Sequence, residues 1–89
     1  MAKKRRKLNK DFERKIYSSK KNVELVLAKI YDIDDEDIQK EYISAFNVVA
    51  NLFDYLNEDY DQRGFTENSE ELLSNYKNAF NQFESEFEI

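Results

Sequence analysis

The chain has 89 residues, 37% of them charged, with one glycine and no proline, cysteine or histidine. That length holds one domain, and the composition removes disulfides, thiolate metal sites, cysteine nucleophiles and imidazole acid–base chemistry. The charge is divided by position: ten basic and two acidic residues through Lys21, then four basic and 17 acidic from Asn22 onward.

The first feature in chain order is the cationic run Lys3, Lys4, Arg5, Arg6 and Lys7. No apolar stretch follows it, as a secretory signal would require, and no apolar run exceeds four residues, so a membrane span is not expected and a cytoplasmic setting is. Residues 1–8 read as a basic arm and residues 9–89 as a helical domain. Three readings of the arm compete. It can bind nucleic acid by neutralising phosphates, with Lys10, Arg14 and Lys15 behind it. It can meet an acidic protein. It can also pair within the chain, because Lys10, Arg14 and Lys15 would lie near Glu58, Asp59, Asp61, Glu67, Glu70 and Glu71 if successive helices run antiparallel. No aromatic residue interleaves the charges from Met1 to Lys10, so base stacking within the arm is not expected.

Phe12, Ile16, Val23, Val26, Leu27 and Ile30 share one face of a helix over about 9–31. The polar stretch Ser18–Asn22 interrupts that face. The helix is expected to bend or break there, with Ser19 or Asn22 as a new N-cap, which would make four helices rather than three.

A second helix is predicted over about 35–61, capped by Asp34, with Asp35, Glu36 and Asp37 in its first turn, where carboxylates suit the dipole. Ile38, Tyr42, Ala45, Val49, Leu52, Leu56 and Tyr60 recur at three and four. A second set, Ile43, Phe46, Val48, Ala50, Phe53 and Tyr55, widens the apolar face, so this helix is expected to be central.

Gly64 supplies the stop. A third helix is predicted over about 68–88, with Asn68 and Glu71 as a capping box and a stripe of Leu72, Tyr76, Phe80, Phe83 and Phe87. The fold expected is all-α, a small antiparallel three-helix bundle with a basic N-terminal arm.

Asp59, Asp61, Gly64, Glu67 and Glu70 fall at positions 1, 3, 6, 9 and 12 of a calcium-binding loop. Arg63 replaces an oxygen ligand at position 5 with a cation, and no second loop exists to pair with it, so no metal or other cofactor is expected. Catalysis is not expected either. The serines have no imidazole partner, and Glu41 and Asp54 fall towards the polar side of the second helix.

What remains is binding. Seven phenylalanines and six tyrosines exceed what two neighbours of the second helix can cover. The expected protein interface is Tyr76, Phe80, Phe83 and Phe87 with Glu84 and Glu86, and Phe83 and Phe87 are the residues expected to be exposed. The carboxylate row Glu84, Glu86 and Glu88 could also mimic nucleic acid, though a net +8 through Lys21 opposes that. A protein-binding module is therefore expected, an inhibitor or adaptor of a host protein, with a second copy of the chain as an alternative partner. A nucleic-acid-binding regulator using the arm is the other reading. Lys, Asn, Ile, Tyr and Phe make up 38 of 89 residues, the codon signature of an AT-rich genome such as that of many low-GC bacteria, their phages and mobile elements.

Overall fold

The computed structural model describes residues 7–88. Three helices fill most of that span: α1 Lys10–Tyr31, α2 Glu36–Arg63 and α3 Ser69–Glu86. Lys3, Lys4, Arg5 and Arg6 lie outside the described residues.

α1 starts at Asn9, whose extended backbone and side-chain oxygen let it accept the Phe12 N–H at 3.0 Å. The break expected at Ser18–Asn22 does not occur, and α1 runs through it as one helix. The physical reason is Ser19. It falls on the core stripe between Ile16 and Val23, is 3% exposed, and its backbone carbonyl accepts the Tyr76 hydroxyl proton at 3.2 Å. A small side chain there admits the ring of Tyr76, so the polar stretch contains one core position and four solvated ones.

The cap of α2 is Asp35 rather than Asp34. Its Oδ1 accepts from the Asp37 and Ile38 N–H groups at 2.9 and 3.1 Å. Across the short turn from α1, the Gln39 amide donates to the carbonyls of Ile30 and Tyr31, each at 3.2 Å. Those carbonyls belong to the last turn of α1, and the Ile30 carbonyl also accepts the Ile33 N–H at 3.1 Å.

α2 ends at Gly64, with φ 73° and ψ −156°, a region open essentially to glycine alone. Its neighbour Phe65 donates its N–H to the Lys7 carbonyl at 2.6 Å, which fastens the chain before α1 to the turn after α2. The expected capping box of Asn68 with Glu71 is replaced by a pairing of Thr66 with Ser69, two residues earlier. Ser69 Oγ accepts the Thr66 N–H at 2.9 Å and Thr66 Oγ1 accepts the Asn68 N–H at 3.2 Å, while Asn68 makes no side-chain cap.

α2 packs extensively on α3 and on α1, whereas α1 and α3 touch each other little. Phe46 meets Phe83 edge-on at 4.9 Å and Phe53 meets Tyr76 at 5.5 Å, which joins α2 to α3. At the other end Phe12 of α1 meets Tyr60 of α2 at 5.6 Å and Phe65 of the turn at 5.1 Å. The radius of gyration is 15.2 Å, against about 12 Å for a compact chain of this length, and the extents are 54 × 24 × 17 Å. So thin a body leaves part of its longest helix uncovered.

Candidate functional site

α2 carries two apolar stripes offset by one residue. Phe46, Val49, Phe53, Leu56 and Tyr60 recur at three and four and are buried. Ala45, Val48, Leu52 and Tyr55 recur at the same spacing, about 100° round the helix. Val48 is 59% exposed and Tyr55 57% exposed, with Ala45 and Leu52 half-buried between them. Burying a valine and leaving its neighbour in water is ordinary for an amphipathic helix. Spacing four apolar residues at 3 and 4 on an unpartnered face is the seam a helix presents to another helix.

Beside this stripe lies a cleft of about 230 Å³ between α2 and α3. Ala45 and Val48 form one wall, and Ala79 and Gln82 the other, with Glu86 at the rim and Phe83 and Phe87 behind. Glu41, exposed, continues the stripe one turn before Ala45. Glu86 is the one charged residue lining the cleft, and no lysine or arginine lines it.

A second cleft, of about 460 Å³, separates α1 from α3. Leu25 and Val26 face Phe80 across it, but its rim already balances Lys29 and Lys77 against Glu84, and its floor is closed by Tyr76 bonded to Ser19. Burial raises the pKa of the Tyr76 phenol above its ordinary value; a hydrogen bond with Ser19 opposes this and the Glu84 charge adds to it.

The interface residues expected on α3 are divided by this arrangement. Tyr76 and Phe83 are buried in the core, 2% and 4% exposed, and Phe80 and Phe87 are partly buried against it. The expected exposure of Phe83 and Phe87 is therefore corrected: Phe83 packs on Phe46, and Phe87 lies over Tyr42 at 4.9 Å. Glu84 and Glu86 are exposed, Glu84 beside the α1–α3 cleft and Glu86 beside the α2–α3 cleft. The aromatic excess is mostly absorbed by the core, and the aromatics left outside are Tyr17, Tyr31 and Tyr55.

Of the basic residues, Lys7, Lys10, Arg14 and Lys15 are all exposed. Arg14 pairs with Asp11 of its own helix at 3.5 Å, not with the acidic residues at the end of α2. In that corner the Tyr60 hydroxyl accepts from the Asn9 N–H and donates to Glu13.

The residues matching a calcium loop do not form one. Asp59 to Arg63 are helical, and Arg63 pairs with Asp59 at 3.5 Å, so the position-5 cation sits on the position-1 ligand. Among the described residues no three carboxylates are gathered as a metal site. No helix among them is long and apolar enough to cross a membrane.

Comparison of the chain with protein-family models, with curated proteins and with solved structures gave no match.

Proposed function

We propose that the protein is a non-enzymatic protein-binding module, an antiparallel three-helix bundle that takes a cationic amphipathic helix of a partner protein against Ala45, Val48, Leu52 and Tyr55. The observation that carries this is the uncovered 3–4 stripe of α2, with Val48 and Tyr55 more than half exposed. Two large apolar side chains on one helical stripe, beside a cleft, give a partner helix both a seam and a groove. The charge of the partner follows from the rim. Glu86 lines the cleft beside the stripe, exposed Glu41 precedes Ala45 by one helical turn, and the chain from Asn22 onward holds 17 acidic residues against four basic ones. The same acidity disfavours a second copy in this place, since like charges would meet. An inhibitor or adaptor role on a host protein fits a module of this size that has neither histidine nor cysteine. The AT-rich residue usage fits a phage or mobile element as well as it fits a low-GC bacterium.

The test is affinity capture from nuclease-treated cells of the source organism, with the wild type and a Val48→Glu, Tyr55→Glu double variant side by side. Both positions are exposed, so circular dichroism should show the fold kept. The reading expects a basic protein held by the wild type, released by added salt and absent from the variant. Equal capture by both chains rejects it. Sedimentation adds the other outcome: a micromolar dimer that the double variant dissolves would give the stripe to a second copy and end the hetero-complex reading.

A further inference from the structure

We propose that the outer face of α1 is a binding surface for single-stranded nucleic acid, with Tyr17 as a stacking platform between Lys10, Arg14 and Lys21. This surface is separate from the α2 stripe and does not depend on its occupant.

Positions 10, 14, 17 and 21 are spaced at four, three and four, which places them on one helical face. The core stripe of α1, with Phe12, Ile16, Ser19 and Val23, occupies the opposite side. All four outer residues are exposed, and Tyr17 is 61% exposed. The Lys21 ammonium stands over the Tyr17 ring at 5.2 Å from its centroid, so the ring already holds a cation against one face. Arg14 is held by Asp11 at 3.5 Å, but both side chains are over 80% exposed, and a pair so solvated yields readily to a phosphate. Glu13, the other carboxylate near the start of the helix, is turned to Tyr60. Glu24, one turn beyond Lys21, ends the basic face.

The face also continues a charge gradient. Lys3 to Lys7 precede it directly in sequence, and Lys15 and Lys20 flank it. Cations alone would serve any polyanion. An exposed aromatic ring set among them adds a group that bases, and not acidic side chains, can stack on. A membrane is a poorer occupant, because a surface-lying helix needs a broad bulky apolar face and this one offers a single tyrosine among cations. The acidic remainder of the chain restricts the polyanion to this side.

Fluorescence anisotropy of the full chain with labelled oligo-dT tests the proposal. Binding is expected at low salt, with affinity falling linearly on a logarithmic salt scale. Tyr17→Ala should weaken binding on the order of tenfold to a hundredfold while leaving that salt slope unchanged, as the loss of stacking does. Tyr17→Phe should restore it. Lys10→Ala, Arg14→Ala and Lys21→Ala together should instead flatten the slope, by about 0.7 for each phosphate that is no longer neutralised. A duplex of the same length should bind more weakly, because its bases are already stacked. Three results overturn the proposal: no binding at low salt, tighter binding to the duplex, or a Tyr17→Ala affinity equal to the wild type. A polyglutamate peptide or a phosphatidylserine vesicle that competes fully, with the same loss on Tyr17→Ala, also overturns it by assigning the face to another class of anion.

Discussion

The Tyr60 hydroxyl lies 2.5 Å from Glu13 Oε2 and accepts the Asn9 N–H at 3.0 Å, so one phenol near the end of α2 ties down the first turn of α1. Its ring packs on Phe12 in the same corner. A donor bond to a carboxylate is worth about 1.5–3 kcal/mol, more than a neutral pair. Tyr60→Phe keeps the ring and loses both bonds. Glu13 is only partly buried and can regain water, which places the expected loss near the low end, about 1.5 kcal/mol, or roughly 6–12 °C in Tm for a domain of this size. Thermal unfolding by circular dichroism measures it. An unchanged Tm would mean the phenol contributes through its ring alone.

Gln39 makes the matching clasp at the opposite end of the α1–α2 pair. Its amide reaches carbonyls of Ile30 and Tyr31 from the first turns of α2, and at 3.5 Å that of Ile33. Gln39→Ala should cost about 1 kcal/mol by removing this shared donor. Gln39→Glu should cost more, because a carboxylate would then face the negative end of α1. Urea titration orders the three chains as wild type, alanine, glutamate. Equal stability of the two variants would show that the loss comes from packing and not from donation.

The two stripes of α2 differ by one residue in register, and the consequence is measurable at adjacent valines. Val49 is 1% exposed and Val48 59% exposed. Val49→Ala should destabilise by about 2 kcal/mol through reduced burial and the cavity left behind. Val48→Ala should stay within about 0.5 kcal/mol of the wild type. If the two substitutions cost the same, α2 is turned differently against its neighbours.

That one-residue register marks where local sequence pattern stops being informative. The existence of three helices, the central place of the second and the stop at Gly64 follow from spacing and from a single glycine, and the helix ends lie within two residues of expectation. Both stripes of α2 carry the same 3–4 pattern with similar residues, so periodicity shows that two faces are apolar without showing which one is covered. The cap of α2 differs from expectation for a related reason. Asp34 and Asp35 are chemically equal, and the one chosen is the one whose carboxylate meets the N–H groups of residues 37 and 38. Ser19 reads as a break in sequence because its burial depends on Tyr76, 57 residues away, which no local window contains. The basic face of α1 is legible in principle: Lys10, Arg14, Tyr17 and Lys21 stand at helical spacing, but a window from Met1 to Lys10 stops before the tyrosine.

Tyr76 joins the cores of α1 and α3 and gives the molecule an alkaline limit. Burial, aided by the Glu84 charge and opposed by a hydrogen bond with Ser19, raises the folded-state pKa of this phenol. In the unfolded chain the phenol ionises near pH 10. The folded state therefore keeps its proton while the unfolded state sheds it. The stability from this difference is fully present below about pH 10 and is lost as the pH rises from there through the raised folded value. Tyr76→Phe removes that dependence and also the bond to the Ser19 carbonyl, so near neutral pH it should be less stable by about 0.5–1.5 kcal/mol. As the pH climbs past 10 the wild type should lose stability faster than the variant, and the gap between them should narrow. Urea midpoints of both chains from pH 7.5 to pH 11 follow it. A gap that stays constant over that range would mean that the phenol titrates alike in the folded and unfolded chains, and that its burial beneath the α1–α3 cleft carries no cost in charge.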